Sequence, residues 1–215
     1  LIKLNNLSVC YSDIPQDDIE KNNYVEKKED EINIGILQSM FKILPDEDEI
    51  FVNILNNFKK TKLYFLSSGL NIVDKLFKNR IAEKLSNKNN IEKLYFLPKT
   101  KRKFYLDYIK NMDFLIDSLS WSGGNTHFEA LSLNKPILTV HRSTLKQNVT
   151  SGLLKRINCK SLIQENKNDF FKKIEYFINN KNFINKNSLI IEKNKMLLFN
   201  DISAINSLED FLSKN

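Results

Sequence analysis

Cysteine is scarce: Cys10 and Cys159 are the two thiols in 215 residues. Two cannot build a disulfide framework or a four-thiolate zinc site, so a reducing, cytoplasmic setting is expected. Five glycines and four prolines exclude collagen-like and loop-dominated chains. No window approaches the ~20 apolar residues that a membrane-spanning helix needs, and mean hydropathy is −0.38. The two histidines, His127 and His141, have no i+4 partner and no Cys/His cluster around them, so no metal site is expected. The G-x-G-x-x-G and G-x-x-x-x-G-K-S/T fingerprints are absent too, which removes the standard dinucleotide and P-loop signatures. The opening LIKLNNLSVC lacks the order of a secretory signal. It begins with Leu1 rather than Met, and a region upstream is therefore expected.

What is present reads as a folded chain: 41% hydrophobic, 27% charged and 11% aromatic residues. The length suits one domain with an appendage. Thirty-three Lys and Arg against 26 Asp and Glu give a net charge of +7. That sign is compatible with nucleic acid, an anionic surface or a phosphorylated small molecule. The lysines, however, are scattered among asparagines, as a compositional bias would place them. No basic and aromatic residues interleave as in RNA-binding motifs, so a nucleic-acid-binding module is the weaker reading.

Residues 11–31, YSDIPQDDIEKNNYVEKKEDE, are polar and acid-rich, and residues 1–31 are expected to be a linker or the tail of a preceding region. From Ile32 short apolar runs alternate with amphipathic stretches. The runs are INIGIL (32–37), KLYFL (62–66), KLYFL again (93–97), MDFLID (112–117), PILTV (136–140) and a weaker CKSLI (159–163). They lack strict alternation, as strands covered on both faces do. Helical patterns fall between them, at 45–58, 70–85, 101–110, 125–133 and 145–157. Strand–helix repetition predicts a doubly wound α/β fold with a mainly parallel sheet. After Asp169 only helical patterns remain, at 170–179, 188–199 and 202–212, giving a helical C-terminal tail. The body is expected over 32–199 and a closing helix over 200–215.

Ligands of such sheets bind beyond the carboxyl ends of the strands. The unusual strand-to-helix turn is Asp117-Ser118-Leu119-Ser120-Trp121-Ser122-Gly123-Gly124-Asn125-Thr126. Paired glycines let backbone approach a ligand, and the helix that follows offers unpaired N–H groups and a partial positive charge. This is a phosphate cradle without a Walker lysine. A second reading is that Gly123 and Gly124 only serve the turn, with Thr126 and Glu129 as a capping box. Glu129, one turn into the helix, could instead accept from a ribose diol. Lys42, after the first strand, could reach a diphosphate, or it could be a solvent-facing lysine. Lys99–Lys103 could meet phosphates or be a solvated charge run. Tyr105 lies where an aromatic ring could stack on a base.

Ser122-Gly123-Gly124-Asn125-Thr126-His127-Phe128-Glu129-Ala130-Leu131, followed by Asn134-Lys135-Pro136-Ile137-Leu138-Thr139, resembles the donor-binding motif of GT-B glycosyltransferases. The closer resemblance is to the O-linked N-acetylglucosamine transferase/SPINDLY family, including bacterial relatives that carry TPR repeats. Gln38–Ile43 and Phe96-Leu97-Pro98 match two more of its blocks in order, and Leu198–Leu212 resembles its closing helix. The resemblance covers roughly residues 32–212 and implies a Rossmann-like carboxyl-terminal GT-B lobe. It implies that Lys42 contacts the donor diphosphate and is the catalytic residue on this chain. It further implies that Gly123, Gly124, Asn125 and Thr126 hold the phosphates, that Glu129 binds ribose, and that Thr100, Arg102 and Tyr105 surround the base. The implied donor is a UDP-sugar, commonly UDP-N-acetylglucosamine, with no metal or other cofactor. The implied partners are a protein Ser/Thr acceptor, an amino-terminal GT-B lobe and TPR repeats. Family members often carry a histidine where Tyr105 stands and a pair of arginines where Lys146 and Asn148 stand. A non-catalytic sugar-nucleotide-binding scaffold is the alternative of another class.

Overall fold

A computed structural model describes residue 7 and residues 9–214. Six strands form one sheet: β1 (Ile32–Ile36), β2 (Thr61–Leu66), β3 (Leu94–Leu97), β4 (Phe114–Ile116), β5 (Ile137–Val140) and β6 (Ile163–Gln164). All pairings are parallel and the order is β3-β2-β1-β4-β5-β6. The first five apolar runs read from the sequence are β1–β5; the sixth, 159–163, is corrected, since residues 160–162 form a 3₁₀ turn and β6 begins only at Ile163. Their aliphatic content follows from their position: Ile34, Ile36, Leu63, Phe65, Phe114, Ile137 and Leu138 are fully buried, because helices cover both faces. The repeated KLYFL segments lie side by side in matched register, Leu63 to Leu94 through Leu66 to Leu97. Tyr64 therefore stacks on Tyr95, with ring centroids 5.2 Å apart.

The connecting helices are α1 (Asp48–Asn57), α2 (Asn71–Lys84), α3 (Arg102–Lys110), α4 (Asn125–Ser132) and α5 (Val149–Arg156). The tail consists of α6 (Lys167–Asn179), α7 (Lys181–Asn194) and α8 (Ser203–Ser213). α6 packs on β5, and α7 packs against α4 and α6. Two expectations need correction. The helix expected at 145–157 is broken at Asn148, whose side chain bonds the Arg142 amide and carbonyl, so a 3₁₀ turn precedes α5. The helix expected at 188–199 starts at Lys181 and ends at Asn194, capped by Asn180, whose side chain accepts from the Phe183 amide.

The acid-rich segment lies against α3 and α4. Tyr11 stacks on Phe128 at 4.7 Å, and Ile14 and Val25 are buried. The Ile14 amide donates to Ser132 Oγ (2.9 Å), and the Asn22 amide donates to Asp107 Oδ2 (3.0 Å). A few apolar anchors and specific hydrogen bonds hold a stretch whose composition reads as linker. Residues 1–6 and 8 of that expected tail lie outside the described residues.

In a sheet of this order, β1 and β4 are neighbours whose chains continue to opposite edges. The crevice at their carboxyl ends is the topological switch point, and the turn 117–126 leaves β4 at that point.

Candidate functional site: an anion cleft at the switch point

Two buried carboxylates shape the turn after β4. Asp117 Oδ1 accepts from the Gly123 amide (2.9 Å), while Oδ2 accepts from the Ser122 hydroxyl (2.7 Å) and the Thr139 hydroxyl (2.8 Å). Glu47, from the turn before α1, accepts from the amides of Leu119 (3.1 Å) and Ser120 (3.0 Å). Burial pushes the Glu47 carboxyl above its ordinary range, against the pull of those donors. So held, the backbone doubles back and α4 begins at Asn125, with Gly124 as its N-cap and no side-chain cap. The expected capping box does not form: Thr126 Oγ1 accepts from Gln38 Nε2 (2.7 Å), and Glu129 Oε1 accepts from Arg102 Nε (2.7 Å).

The amides of Gly124, Asn125 and Thr126 donate to no acceptor among the described residues. They edge a cleft of about 380 Å³ lined by Gln38, Ser39, Lys42, Trp121, Ser122 and Gly124–Thr126, with Leu37, Leu66 and Val149 behind them. Lys42 sits on a 3₁₀ turn after β1, where its ammonium donates to Gln38 Oε1 (3.2 Å) and the Ser122 carbonyl (3.3 Å). Both partners are neutral oxygens, and among the described residues no carboxylate pairs with it. Partial burial lowers its pKa, with Asp117 opposing. A half-desolvated cation and three free N–H groups at a helix's positive end, with no carboxylate in the wall, make a cleft for an anion.

Gly123 faces away from the cleft. Its N–H goes to Asp117, and a Cβ there would lie 2.5 Å from Gln38 Nε2 and 2.6 Å from the His127 ring. It carries the close approach of the turn to the residues beneath, so the expectation of a phosphate-binding amide at Gly123 is corrected on that ground. Glu129 is buried and its Oε2 has no partner among the described residues, which leaves one oxygen open beside Arg102. Thr100 is exposed ahead of α3. Tyr105 is held inward, its hydroxyl donating to the Leu37 carbonyl (3.3 Å), and burial raises its phenol far above the ordinary range. Its ring packs against the core and is not among the cleft-lining side chains.

Trp121 stands half-exposed at the mouth. The Lys42 and Lys146 ammonium groups lie 6.0 and 5.4 Å from its ring centroid, and Phe41 meets it edge-on at 6.5 Å. A larger cleft of about 610 Å³ adjoins the first through Ser39 and Leu66. Its walls are mostly apolar, with Ser67, Ser68 and Lys99 among them, and its Arg80 is committed to Asp48. Sequence reading gave Gln38, Glu47, Asp117, His127 and Thr150 no role in the site. Each is an ordinary polar residue until folding brings residues 38–47, 117–127 and 150 together.

Fold and cleft define first a class, a doubly wound parallel α/β lobe with a lysine-bearing cleft at its switch point. No family model matches the chain, and no curated protein does. Its structure is similar to a mutant O-GlcNAc transferase from Thermobaculum terrenum, with a TM-score of 0.82 and 16% identity over 99% of this chain and 40% of that one. It is also similar to a UDP-GlcNAc 2-epimerase from Neisseria meningitidis bound to UDP-GlcNAc (TM-score 0.55, 11% identity, 87% of this chain and 45% of that one). An E. coli trehalose-6-phosphate protein bound with UDP-2-fluoro glucose is a third (TM-score 0.56, 15% identity, 86% and 44%). The chain spans less than half the length of each of the three. Within the class the fold is the Rossmann-like one of a GT-B lobe, the fold that the resemblance over residues 32–212 implies.

Proposed function

We propose that this chain is the carboxyl-terminal, donor-binding lobe of a glycosyltransferase. In this reading it holds a UDP-sugar, UDP-N-acetylglucosamine first among them, by its diphosphate. The observation that carries the reading is Lys42 facing the free amides of Gly124–Thr126 across one cleft. The open oxygen of Glu129 takes the ribose diol, with Arg102 and Thr100 toward the base. In the intact enzyme, the oxygen of a protein Ser or Thr hydroxyl attacks the anomeric carbon while its proton passes to a base on the rest of the enzyme. The bond from that carbon to the diphosphate breaks, and its electron pair goes to the leaving oxygen. Lys42 and the helix amides bind that growing charge more strongly than the ground state, which is the condition for catalysis. No metal is asked for in this scheme. The acceptor and any TPR repeats belong to the rest of the enzyme. The tail helix α8, which exposes Ile205, Leu208 and Leu212, is proposed to pack back on the other lobe.

Titrating UDP-N-acetylglucosamine into the chain tests the binding. Saturable binding by wild type and its loss in Lys42→Ala, with the fold intact by circular dichroism, support it. In the intact enzyme the same substitution is expected to lower turnover about 10²–10³-fold, the usual cost of one such donor. Saturable wild-type binding with no transfer by the intact enzyme would favour the scaffold alternative. Binding of RNA in steep dependence on salt, with none of the sugar nucleotide, would favour the nucleic-acid reading.

A further inference from the structure

Beneath the cleft runs a line of hydrogen bonds that anion binding does not by itself require. It begins at the buried Asp117 carboxylate and passes Ser122 Oγ and Thr150 Oγ1, which are 2.6 Å apart. From Thr150 it enters His127 at Nδ1, leaves at Nε2 for Gln38 Nε2 (3.0 Å), and ends where Gln38 Oε1 meets Lys42.

The protons on this line are ordered from its charged end. A carboxylate only accepts, so the single Ser122 hydroxyl hydrogen goes to Asp117. Thr150 must then donate its own hydrogen to Ser122, and its oxygen is left to accept from His127 Nδ1–H. In a neutral ring protonated at Nδ1, Nε2 is an acceptor. Only the amino end of Gln38 can face it. The second amino hydrogen of Gln38 goes to Thr126 Oγ1 (2.7 Å), and its carbonyl is left toward the Lys42 ammonium. The amide is thus oriented by a carboxylate four links away.

We propose that His127 is a positioning residue of the anion cleft: its neutral, Nδ1-protonated ring sets the Gln38 amide, which holds Lys42 and Thr126 in place for a diphosphate. The proposal rests on the reading of the cleft as a sugar-nucleotide site. The charged groups facing the ring are Asp117, 3.6 Å from Nδ1, and Lys42 beyond Gln38. α5 presents the uncharged Thr150 to it, and β5 presents Thr139 to Asp117. Burial lowers the ring's pKa below 6.5, with Asp117 opposing and Lys42 adding to the effect. Protonation would set an N–H against the amino group of Gln38. The amide would turn over and aim its own N–H groups at Lys42. Affinity should therefore hold from mildly basic pH down to 6.5 and fall below it, where the ring takes up its second proton.

The test is calorimetric titration of UDP-N-acetylglucosamine, whose diphosphate does not ionise in this range, into wild type, His127→Ala, His127→Gln and Thr150→Val. Nitrogen NMR of the His127 ring accompanies it. At about pH 8, His127→Ala is expected to bind about tenfold more weakly, the loss of roughly one hydrogen bond. His127→Gln, whose carbonyl can accept from Gln38, should recover most of that and lose the fall in acid. Thr150→Val leaves the histidine in place but removes its Nδ1 acceptor. It should weaken binding comparably and populate the other tautomer, and it carries the test if His127→Ala does not fold. Wild-type binding that His127→Ala and Thr150→Val leave unchanged overturns this inference alone, as does an Nε2-protonated ring in wild type. No binding by wild type at about pH 8 overturns the sugar-nucleotide reading and this inference with it.

Discussion

Gly123 and Gly124 are adjacent, and folding gives them opposite duties. At Gly123 a methyl group would overlap Gln38 and the His127 ring, whereas at Gly124 it would meet nothing within 4 Å. Gly123→Ala is expected to lower stability by about 1–3 kcal/mol, the cost of overpacking. It should also disturb the amide of Gln38. Gly124→Ala should cost less stability but narrow the cleft and weaken UDP-sugar binding. Thermal melts and titrations of the two variants separate the duties, and equal destabilisation would contradict the assignment. The glycine pair was legible as a place of close approach, because few residues permit it. Which glycine served which side was not, since that depends on Asp117 claiming the Gly123 amide. Glu47→Ala is expected to cost about 1–3 kcal/mol in urea unfolding, because the Leu119 and Ser120 amides lose their acceptor.

Among elements, α1 and α2 are joined by a buried carboxylate. Asp48 is fully buried and meets Arg80 through Nε and Nη2 (3.0 and 2.9 Å) and Lys84 at 2.7 Å. Removing both cations, Arg80→Met with Lys84→Met, strands the charge and is expected to cost about 3–5 kcal/mol. Either single change should cost less, because the other cation remains. Denaturant unfolding of the three variants checks this, and additive small losses would contradict it. Nothing in the local pattern of Asp48 marks it as buried. α7 was mistaken for a different reason: its first half, KNFINKN, buries only Ile184 and Asn187, too narrow a stripe to read as amphipathic. The Asn180 cap was present in the sequence as its one start signal. The strands, by contrast, were plain, because a strand covered on both faces must be apolar along its whole length.

For the molecule as a whole, one lysine among the excess of positive charge, half-buried Lys135, ties stability to pH. Lys135, beside β5, donates to the Met112 carbonyl (2.8 Å), and burial pushes its pKa down to about 8, with Lys27 adding and Asp113 opposing. The folded value lies below the ordinary 10.5, so folding favours the neutral form. Its contribution is full above 10.5 and is lost as pH falls toward 8. Stability in urea should therefore rise between about pH 8 and about pH 9, and Lys135→Met should flatten that rise. Above 9.0 the raised thiol of Cys159, and above 10.0 the raised phenols of Tyr64, Tyr105 and Tyr108, work in the opposite direction, which bounds the window.

The sequence by itself determined five of the six strands, most of the helices between them and the glycine turn, because apolar period, turn residues and helix starts are local matters. It also carried the motif resemblance that named Lys42, Gly124–Thr126 and Glu129. Only the tertiary structure decided that β1 and β4 lie side by side. That placement brings residue 42 to residue 122 and residue 38 to residues 126 and 127, about 80 to 90 positions away. The physical reason is that the directions of hydrogen bonds and the desolvation of charges depend on neighbours distant in the chain. The orientation of the Gln38 amide follows from Asp117, Thr150 and His127 acting together, and no stretch of sequence contains all of them at close spacing.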